Sequence, residues 1–530
     1  MHRLMNLCLG AMTTALLAVA PSAEAARFTR APYLQHVTPD SALVAFRLDA
    51  NCTPTVRYGE NGATNQSTQA STSGTVHAVQ LRALREGTDY TYVVDGCGAT
   101  SAPKRLRTAP VPGTQSVRFA TMGDFGTGAT GIRDIALAML KPNPDLFLSL
   151  GDVAYEDGTE AEVQNHLFGP LAPLLAEVPM YGVLGNHEYV TNQGKPYLDA
   201  VYSPTSQPGG ERYYSFDWGH VHFVALDSQC ANGWVEASSC QNATQKAWLE
   251  RDLAASKAPW KIVFMHHPFW SSGEHGSYTK FRAEYGPLFE KYGVDLVLTG
   301  HDHEYERSHP MTGDRIDREN GIPYLVVGSG GTYLKDFATN KPAWSAFRSN
   351  AAQSFLDVNV QGGTLEGRLV TTTGATLDSF TLTKELSPEQ QPPPPQQQPA
   401  PTAQLLISSQ AGSDAAPFEA RFQAATDLSN PTVIWDFGDG TSGQGTQVTH
   451  TYARAGDYTV TATASSGDQL VTRSATVSVS ASGTVAPPVS SVDPLTPEEA
   501  QAGCTAAPTA LLPLGLLVAL GVLHRRRQRR

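Results

Sequence analysis

Five short motifs in the middle of the chain each place acidic, amide, imidazole or phenol side chains directly after an apolar run. They are GDFG (123–126), GDVAY (151–155), GNHE (185–188), VFMH (263–266) and GHDH (300–303). One such residue after a strand carries little information by itself. Five in order are informative, because the carboxyl ends of neighbouring parallel strands bring their loops to a common crevice. We therefore expect these side chains to meet at the same edge of one sheet.

The donor atoms of these motifs are oxygen and imidazole nitrogen, without thiolate. Such a set suits iron, zinc or manganese in a hydrolytic site. Two metal ions about 3.5 to 4 Å apart can hold a phosphate group, supply hydroxide as the nucleophile and stabilise the leaving oxygen. The motifs therefore predict a two-metal hydrolytic centre.

The motifs resemble those of the calcineurin-like metallophosphoesterases, with one difference. The common pattern of that superfamily begins with Asp-x-His, and in this chain the third position is Gly126. Purple acid phosphatases lack the same histidine and have a tyrosine in the motif GDxxY, which Asp152 to Tyr155 match. The resemblance to purple acid phosphatases implies that Tyr155 supplies the metal donor that position 126 lacks.

Carried over by position, this resemblance implies two sets of metal ligands that share Asp152. The first metal is expected to bind Asp124, Asp152, Tyr155 and His303, and the second Asp152, Asn186, His266 and His301. A phenolate favours Fe(III), whereas an amide and two imidazoles suit a divalent ion such as Fe(II), Zn(II) or Mn(II). The implied cofactor is Fe(III) with a second, divalent metal. The implied reaction is attack of metal-bound hydroxide on a phosphate ester, with inversion at phosphorus.

The resemblance also assigns catalytic roles to two further histidines. His187 is expected to hydrogen-bond the substrate phosphate, and His275 to protonate the leaving alkoxide, a role that suits imidazolium at acid pH. Glu274 is a lesser candidate for that proton transfer. His267 is expected to pack structurally, and Glu188 to orient a histidine.

Three folded domains are predicted, and the central one carries the motifs. From 115 to 385, apolar strands alternate with helical stretches such as IRDIALAMLK (132–141), which indicates an α/β domain. The resemblance implies a metallophosphoesterase sandwich of two mixed sheets flanked by helices. Residues 26–112 and 403–480 alternate apolar and polar positions as β-sandwiches do. The first resembles a fibronectin type III domain, and the second, with WDFGDG at 435–440, a polycystic kidney disease (PKD) repeat.

The PKD repeat predicts a spacer or a module that docks the enzyme on a surface polysaccharide or protein. Asp436 and Asp439 are candidate calcium ligands, but a turn that closes a hairpin explains them equally well. The less favoured alternative is a surface-binding protein in which the β-sandwiches bind the partner and the central domain is inactive. It is less favoured because all seven ligand positions are matched.

The segments outside these domains predict export. Residues 1–25 have a basic start, an apolar stretch and a small-residue cleavage site, as a signal peptide does. Residues 386–402 and 481–504 are predicted linkers. Residues 505–524 have the length and apolarity of a bilayer span, and the basic residues 525–530 belong in the cytoplasm. With Cys504 before it, this tail resembles a myxobacterial surface-sorting signal; a plain membrane anchor is the alternative. We expect an exported protein that is secreted or associated with the cell surface or outer membrane.

Charge excludes one class of partner, and cysteine content supports export. The net charge of −12 argues against nucleic-acid binding, which requires a basic surface. Cys52 with Cys97 and Cys230 with Cys240 are predicted disulfides of an oxidising compartment.

The leading interpretation is an acid phosphatase acting on phosphate monoesters. A phosphodiesterase or a nucleotide or phospholipid phosphoesterase with the same site is the main alternative.

Overall fold

The computed structural model describes residues 25–114, 116–205, 210–233, 240–331, 333–338, 340–387, 403–409, 417–466 and 469–480. The chain divides into two compact units, residues 1–393 and 394–530. The predicted signal peptide up to residue 24, most of the first linker, and the whole tail from 481 with Cys504 lie outside the described residues. Among the described residues, no helix combines the length and apolarity needed to cross a bilayer.

The first domain consists of two antiparallel sheets, with strand orders β1-β2-β5 and β4-β3-β6-β7, β8 pairing with β6. The strands are β1 (Phe28–Gln35), β2 (Ser41–Cys52), β3 (Thr55–Glu60), β4 (Gln66–Gln69), β5 (Gly74–Arg82), β6 (Asp89–Gly96), β7 (Ala99–Thr100) and β8 (Lys104–Arg107). The Cys52–Cys97 disulfide connects the end of β2 to the residue after β6 and so joins the two sheets. That predicted pairing is confirmed.

Two mixed sheets form the centre of the second domain, as predicted. One has the order β11-β10-β9-β21-β22-β23 and the other β12-β13-β14-β15-β19-β16-β20, with β17 and β18 as a separate ribbon. The strands are β9 (Ser116–Met122), β10 (Leu146–Ser149), β11 (Met180–Gly182), β12 (Tyr214–Trp218), β13 (Val221–Ala225), β14 (Trp260–Phe264), β15 (Leu296–Thr299), β16 (Tyr305–Ser308), β17 (Met311–Thr312), β18 (Arg315–Ile316), β19 (Tyr324–Val327), β20 (Ser345–Ser349), β21 (Ser354–Gln361), β22 (Thr364–Thr371) and β23 (Thr376–Thr383).

Helices pack against these sheets. They are α1 (Ile132–Leu140), α2 (Glu160–Glu162), a π-helix (Val163–Phe168), α3 (Gly169–Leu175), α4 (Asn186–Val190), a 3₁₀ turn (Asn192–Gly194), α5 (Lys195–Leu198), α6 (Ser228–Asn232), α7 (Asn242–Ala255) and α8 (Thr279–Tyr292). Strand residues alternate between two cores because successive side chains point to opposite faces. Leu146 and Leu148 of β10 join the core between the sheets, whereas Phe147 packs with α1 and α3.

The five motifs follow strands of both sheets. GDFG, GDVAY and GNHE follow the parallel strands β9, β10 and β11 of the six-stranded sheet. VFMH and GHDH follow the parallel strands β14 and β15 of the seven-stranded sheet. The expectation of one sheet is therefore wrong. An apolar run predicts a buried strand, but nothing within the run determines which sheet that strand joins.

The first domain contacts the second domain close to the motif GDVAY. Arg30 of β1 is buried, with Nε donating to Gln164 Oε1 at 2.7 Å and Nη2 to Glu160 Oε1 at 3.2 Å. Its guanidinium also lies 3.9 Å from the centre of the Phe168 ring. The first domain thus holds the helical segment that begins just after Tyr155.

The second unit contains two antiparallel sheets, of order β24-β25-β28 and β27-β26-β29-β30. Its strands are β24 (Ala403–Ser409), β25 (Phe418–Thr426), β26 (Thr432–Asp436), β27 (Ser442–Gln444), β28 (Gln447–Tyr452), β29 (Gly456–Ser466) and β30 (Gln469–Val479). Asp436 accepts the N–H of Gly438 at 2.9 Å, and Asp439 lies 2.7 Å from His450 Nε2 and accepts the N–H of Thr441. Both carboxylates thus bond around the turn that follows β26.

Candidate metal centre

Three of the candidate ligands occupy an uncommon backbone conformation. The φ angles of Asp124, Asp152 and His301 are 59°, 50° and 72°, in the left-handed region that non-glycine residues rarely adopt. Each of these residues follows the end of a buried parallel strand. Strain of this kind persists where the surrounding structure holds it, and it concentrates at functional sites.

The candidates for the first metal surround the hydroxyl of Tyr155. This hydroxyl lies 3.2 Å from Asp152 Oδ2, 3.4 Å from Asp124 Oδ1 and 3.1 Å from His303 Nε2. Tyr155 is 6% exposed, so the phenol faces the interior. The four side chains therefore present oxygen and nitrogen donors to one small volume.

The candidates for the second metal surround Nε2 of His266. This atom lies 3.1 Å from Asn186 Oδ1, 3.2 Å from His301 Nδ1 and 3.2 Å from Asp152 Oδ2. The same Asp152 oxygen contacts Tyr155 in the first set. Its position suits a carboxylate shared by two metal ions.

Hydrogen bonds on the far side of the rings fix which nitrogen faces the centre. His266 Nδ1 lies 2.8 Å from the carbonyl of Leu150, and His303 Nδ1 lies 3.2 Å from the carbonyl of Tyr333. A carbonyl only accepts, so in both rings Nδ1 carries a hydrogen, and in its neutral form each ring can offer the lone pair of Nε2 to a metal. In His301, Nε2 lies 2.8 Å from the hydroxyl of Tyr278, and Nδ1 faces the centre.

The electrostatics of the site also fit bound cations. Burial raises the pKa of Asp124 well above its usual range, and burial with the charges of Asp152 and Asp124 raises that of Tyr155. Burial acts in the same direction on the pKa of Asp152, but the adjacent His266 outweighs it and lowers that pKa. Buried acidic groups at such distances are costly unless cations balance them, and metal binding favours their ionised forms. The donor set therefore fits two metal ions.

Gly126 packs against the loop that carries Tyr155. A Cβ atom at position 126 would lie 2.0 Å from the carbonyl carbon of Val153 and 2.2 Å from the nitrogen of Ala154. The backbone of Gly126 also accepts the N–H of Tyr155 at 2.8 Å. The Tyr155 loop thus occupies the space that a side chain at 126 would need, so a histidine there and this loop exclude each other.

Glu188 has a different role from the one predicted. Its carboxylate accepts the N–H groups of Asp152, Val153, Ala154 and Gly185 at 2.8 to 3.1 Å. Burial and the charge of Asp152 raise the pKa of Glu188 to about 7, while these N–H groups favour its ionised form. The expectation that Glu188 orients a histidine is wrong, because both of its carboxylate oxygens accept hydrogen bonds from backbone N–H groups beside the candidate ligands.

His187 and His275 each lie beside one of the two donor sets, His187 against Tyr155 and His275 against His301. His187 Nδ1 lies 2.6 Å from the carbonyl of Glu156, and Nε2 lies 4.0 Å from Asp152 Oδ2. The ring of His275 lies 4.4 Å from that of His301, and His275 is exposed. Both imidazoles are therefore placed beside the metal candidates and outside their donor sets.

The remaining two candidates have local partners. Glu274 forms an ion pair with Lys335, with 2.7 Å between Oε2 and Nζ. His267 is buried, and its Nδ1 lies 2.7 Å from the hydroxyl of Ser228. A donor nitrogen of His267 also lies within 4.8 Å of donors of His266 and His301, so this histidine packs directly behind the second metal set.

Sequence reasoning missed the residues that orient the ligands. Tyr278 contacts His301, and the carbonyls of Leu150 and Tyr333 contact the rings of His266 and His303. Asp302 binds the loop of His275. Only Asp302 lies inside a motif. Its side chain has no predicted role, because its partners belong to another loop that the motif does not identify: the N–H groups of His275 and Gly276 and the hydroxyl of Ser271.

Comparison with known proteins finds relatives of both the motif-bearing domain and the second unit. The calcineurin-like phosphoesterase family matches residues 117–305, and the PKD domain family matches residues 398–481. Purple acid phosphatase 15 of Arabidopsis thaliana is 30% identical over 305 residues, which cover 50% of this chain and 55% of that protein. Probable inactive purple acid phosphatase 1 of the same plant is 26% identical over 365 residues, covering 59% and 58%.

A solved structure shows the same fold. The purple acid phosphatase PPD1 from yellow lupin seeds superposes with a TM-score of 0.58 at 21% identity, covering 70% of this chain and 78% of that chain. The chain spans a little over half of the length of both curated relatives. It thus carries a calcineurin-like metallophosphoesterase domain that has purple acid phosphatases among its homologues, followed by a PKD domain.

Proposed function

We propose that the protein is an exported acid phosphatase that hydrolyses phosphate monoesters at a binuclear centre of Fe(III) and a divalent metal. The observation that carries this proposal is the position of Tyr155, whose hydroxyl lies 3.1 to 3.4 Å from donor atoms of His303, Asp152 and Asp124. A phenolate beside two carboxylates is a donor set that favours a trivalent ion. Such a metal pair, when bound, supplies hydroxide and stabilises charge on the phosphate.

The side chains of the chain itself have separate tasks in this proposal. Asp152 holds both metals, because its Oδ2 contacts both donor sets. His187 in its doubly protonated form donates its Nδ1 hydrogen to the carbonyl of Glu156 and its Nε2 hydrogen to a phosphate oxygen. His275, whose ring lies 4.4 Å from that of His301, donates its proton to the leaving alkoxide.

Export is the second part of the proposal. It is supported by the two disulfides, Cys52–Cys97 and Cys230–Cys240, because such bonds persist in oxidising compartments. The signal-like residues 1–25 point the same way. In this proposal the PKD domain docks the enzyme on a surface polysaccharide or protein, and residues 505–524 attach it to a membrane.

The test is metal analysis and a visible absorption spectrum of the purified full-length protein, together with hydrolysis of an aryl phosphate monoester and diester from pH 4 to 8. We expect iron, a phenolate charge-transfer band and faster monoester hydrolysis on the acid side. A protein without iron or the band would overturn the Fe(III) assignment. A diester rate well above the monoester rate would replace the monoesterase proposal with the diesterase alternative.

Tyr155→Phe tests the tyrosine directly. We expect loss of the visible band and weaker retention of iron. Tyr213→Phe is the matched control, because Tyr213 is fully buried and its hydroxyl has no hydrogen-bond partner among the residues that the structure describes. If both variants keep the band, Tyr155 is a packing residue.

A further inference from the structure

Asp302 lies between His301 and His303, two candidate ligands, but its side chain binds a different loop. It is fully buried. Its Oδ1 accepts the backbone N–H of His275 at 2.8 Å, and its Oδ2 accepts that of Gly276 at 3.2 Å. Its Oδ2 also accepts the hydroxyl hydrogen of Ser271. One carboxylate therefore receives three donors from residues 271–276.

The loop closes around this carboxylate. Ser271 and Ser277 are joined by two hydrogen bonds, of 3.0 Å from the Ser271 N–H to Ser277 Oγ and 3.1 Å from that hydroxyl to the Ser271 carbonyl. The N–H of Gly273 donates to Ser271 Oγ at 3.0 Å. Gly273 has no room for a side chain, because its Cβ would lie 2.6 Å from Cγ of Asp302. The packing thus allows the carboxylate to lie directly against the loop backbone.

This arrangement connects the loop to the metal candidates through one residue. The backbone of Asp302 continues into His301 and His303, while its carboxylate fixes the N–H of His275 itself. The His275 ring in turn lies 4.4 Å from the ring of His301. Charge-assisted hydrogen bonds are about twice as strong as neutral ones, so a carboxylate with three donors is a firm anchor.

We propose that Asp302 is a positioning residue that holds His275 at the distance from the metal centre needed to protonate the leaving alkoxide. This inference rests on the proposed phosphatase function and on the role of His275 in it. Asparagine at 302 offers one acceptor oxygen in place of two, so it can hold His275 or the pair Ser271 and Gly276, but not all three. Loss of the anchor is expected to act through the protonation step alone.

The experiment compares two phosphate monoesters in the full-length, metal-loaded enzyme. Ethyl phosphate needs a proton on its leaving oxygen, whereas 4-nitrophenyl phosphate releases a stable anion. We expect Asp302→Asn to lower kcat for ethyl phosphate about 30-fold, as for a displaced catalytic group. Its kcat for 4-nitrophenyl phosphate is expected to fall less than about threefold, with metal content unchanged. His275→Asn is expected to show the same selectivity, and the double variant no further loss.

Glu306→Gln is the matched control. Glu306 is also buried, and its carboxylate accepts the N–H and hydroxyl of Ser272 in the same loop at 2.6 and 2.8 Å. It bonds to Ser272 rather than to the backbone of His275, so the ratio of the two rates should stay at the wild-type value. Ser271→Ala is the milder second variant, should Asp302→Asn fail to fold, and it should shift the same ratio in the same direction.

The outcomes separate this inference from the proposed function. Equal losses for both substrates, or multiplied losses in the double variant, would overturn the positioning role while leaving the phosphatase proposal intact. If His275→Asn is selective and Asp302→Asn is not, the positioning role is again overturned. A wild-type enzyme that hydrolyses neither monoester would overturn the proposed function, and this inference with it.

Discussion

Replacing Gly126 with alanine should displace the loop that carries Tyr155. The added Cβ would lie 2.0 Å from a backbone carbon of Val153, whereas carbon atoms pack at about 3.5 to 4 Å. The peptide between Val153 and Ala154 must therefore move by about 1.5 Å. That shift also weakens the bonds of this peptide to Glu188 and of Tyr155 to the carbonyl of Gly126. Overpacking costs about 1 to 3 kcal/mol and each lost hydrogen bond about 1 kcal/mol, which gives a loss of about 4 kcal/mol.

The assay is urea unfolding of the metal-depleted protein, followed by iron content and the visible band after reconstitution. We expect a lower midpoint with an unchanged slope, and a weaker band, because the tyrosine no longer reaches the first metal. Gly286→Ala in α8 is the control, since the nearest atom to its Cβ lies 3.9 Å away. It should stabilise the helix by about 0.5 to 1 kcal/mol. If Gly126→Ala keeps both the band and the wild-type midpoint, the close packing of position 126 against this loop is refuted.

Three further substitutions test other parts of the structure. Glu188→Gln should cost about 3 kcal/mol and lower iron retention, measured by urea unfolding and metal analysis, because an amide cannot accept four N–H groups. Burial lowers the pKa of His222, but Asp217 and Asp252 outweigh it and raise that pKa to about 9. The stabilisation from protonated His222 is therefore full below pH about 6.5, the ordinary pKa of histidine, and is lost as the pH rises through 9. His222→Gln should therefore lower the free energy of unfolding, measured with urea, by about 2 kcal/mol more at pH 6 than at pH 10. Arg30→Met should cost about 2 kcal/mol in the same assay while iron content stays constant, because the partly buried hydrogen bonds of Arg30 join the two domains at Gln164 and Glu160 and involve none of the candidate ligands.

Much of the fold follows from local patterns. The alternation of apolar runs and helical stretches predicts the α/β domain, since strand and helix periods differ and a glycine or a polar residue ends each run. In β10, Leu146 and Leu148 face one core and Phe147 the other, as the period of two requires. The number of sheets does not follow from the residues alone. It depends on the pairing of β9 with β21, more than two hundred residues later in the chain.

The candidate ligands could be named from the sequence, because each lies in a motif that resembles those of purple acid phosphatases. Their supports could not be named in the same way. Glu188 sits inside a motif and suggests a partner for a histidine, yet its partners are backbone N–H groups of the loop from Asp152 to Ala154. Backbone groups are the same at every residue, so a sequence pattern carries no sign of which ones a side chain will meet.

Three separate segments hold Tyr155 in place. A histidine ligand at position 126 therefore cannot replace the Tyr155 ligand through a single substitution. Gly126 gives the Tyr155 loop its space and accepts its N–H at 2.8 Å, Glu188 ties down the three residues before it, and the capping box of Thr159 and Glu162 fixes the residues after it. A chain with histidine at 126 needs a different path for residues 153–155, and Glu188 then has no loop to bind. Gly126→His with Tyr155→Phe is therefore expected to lack both the visible band and iron at the first site. An enzyme with full metal content in that double variant would show that the two ligands are interchangeable within one backbone, against the packing of Gly126.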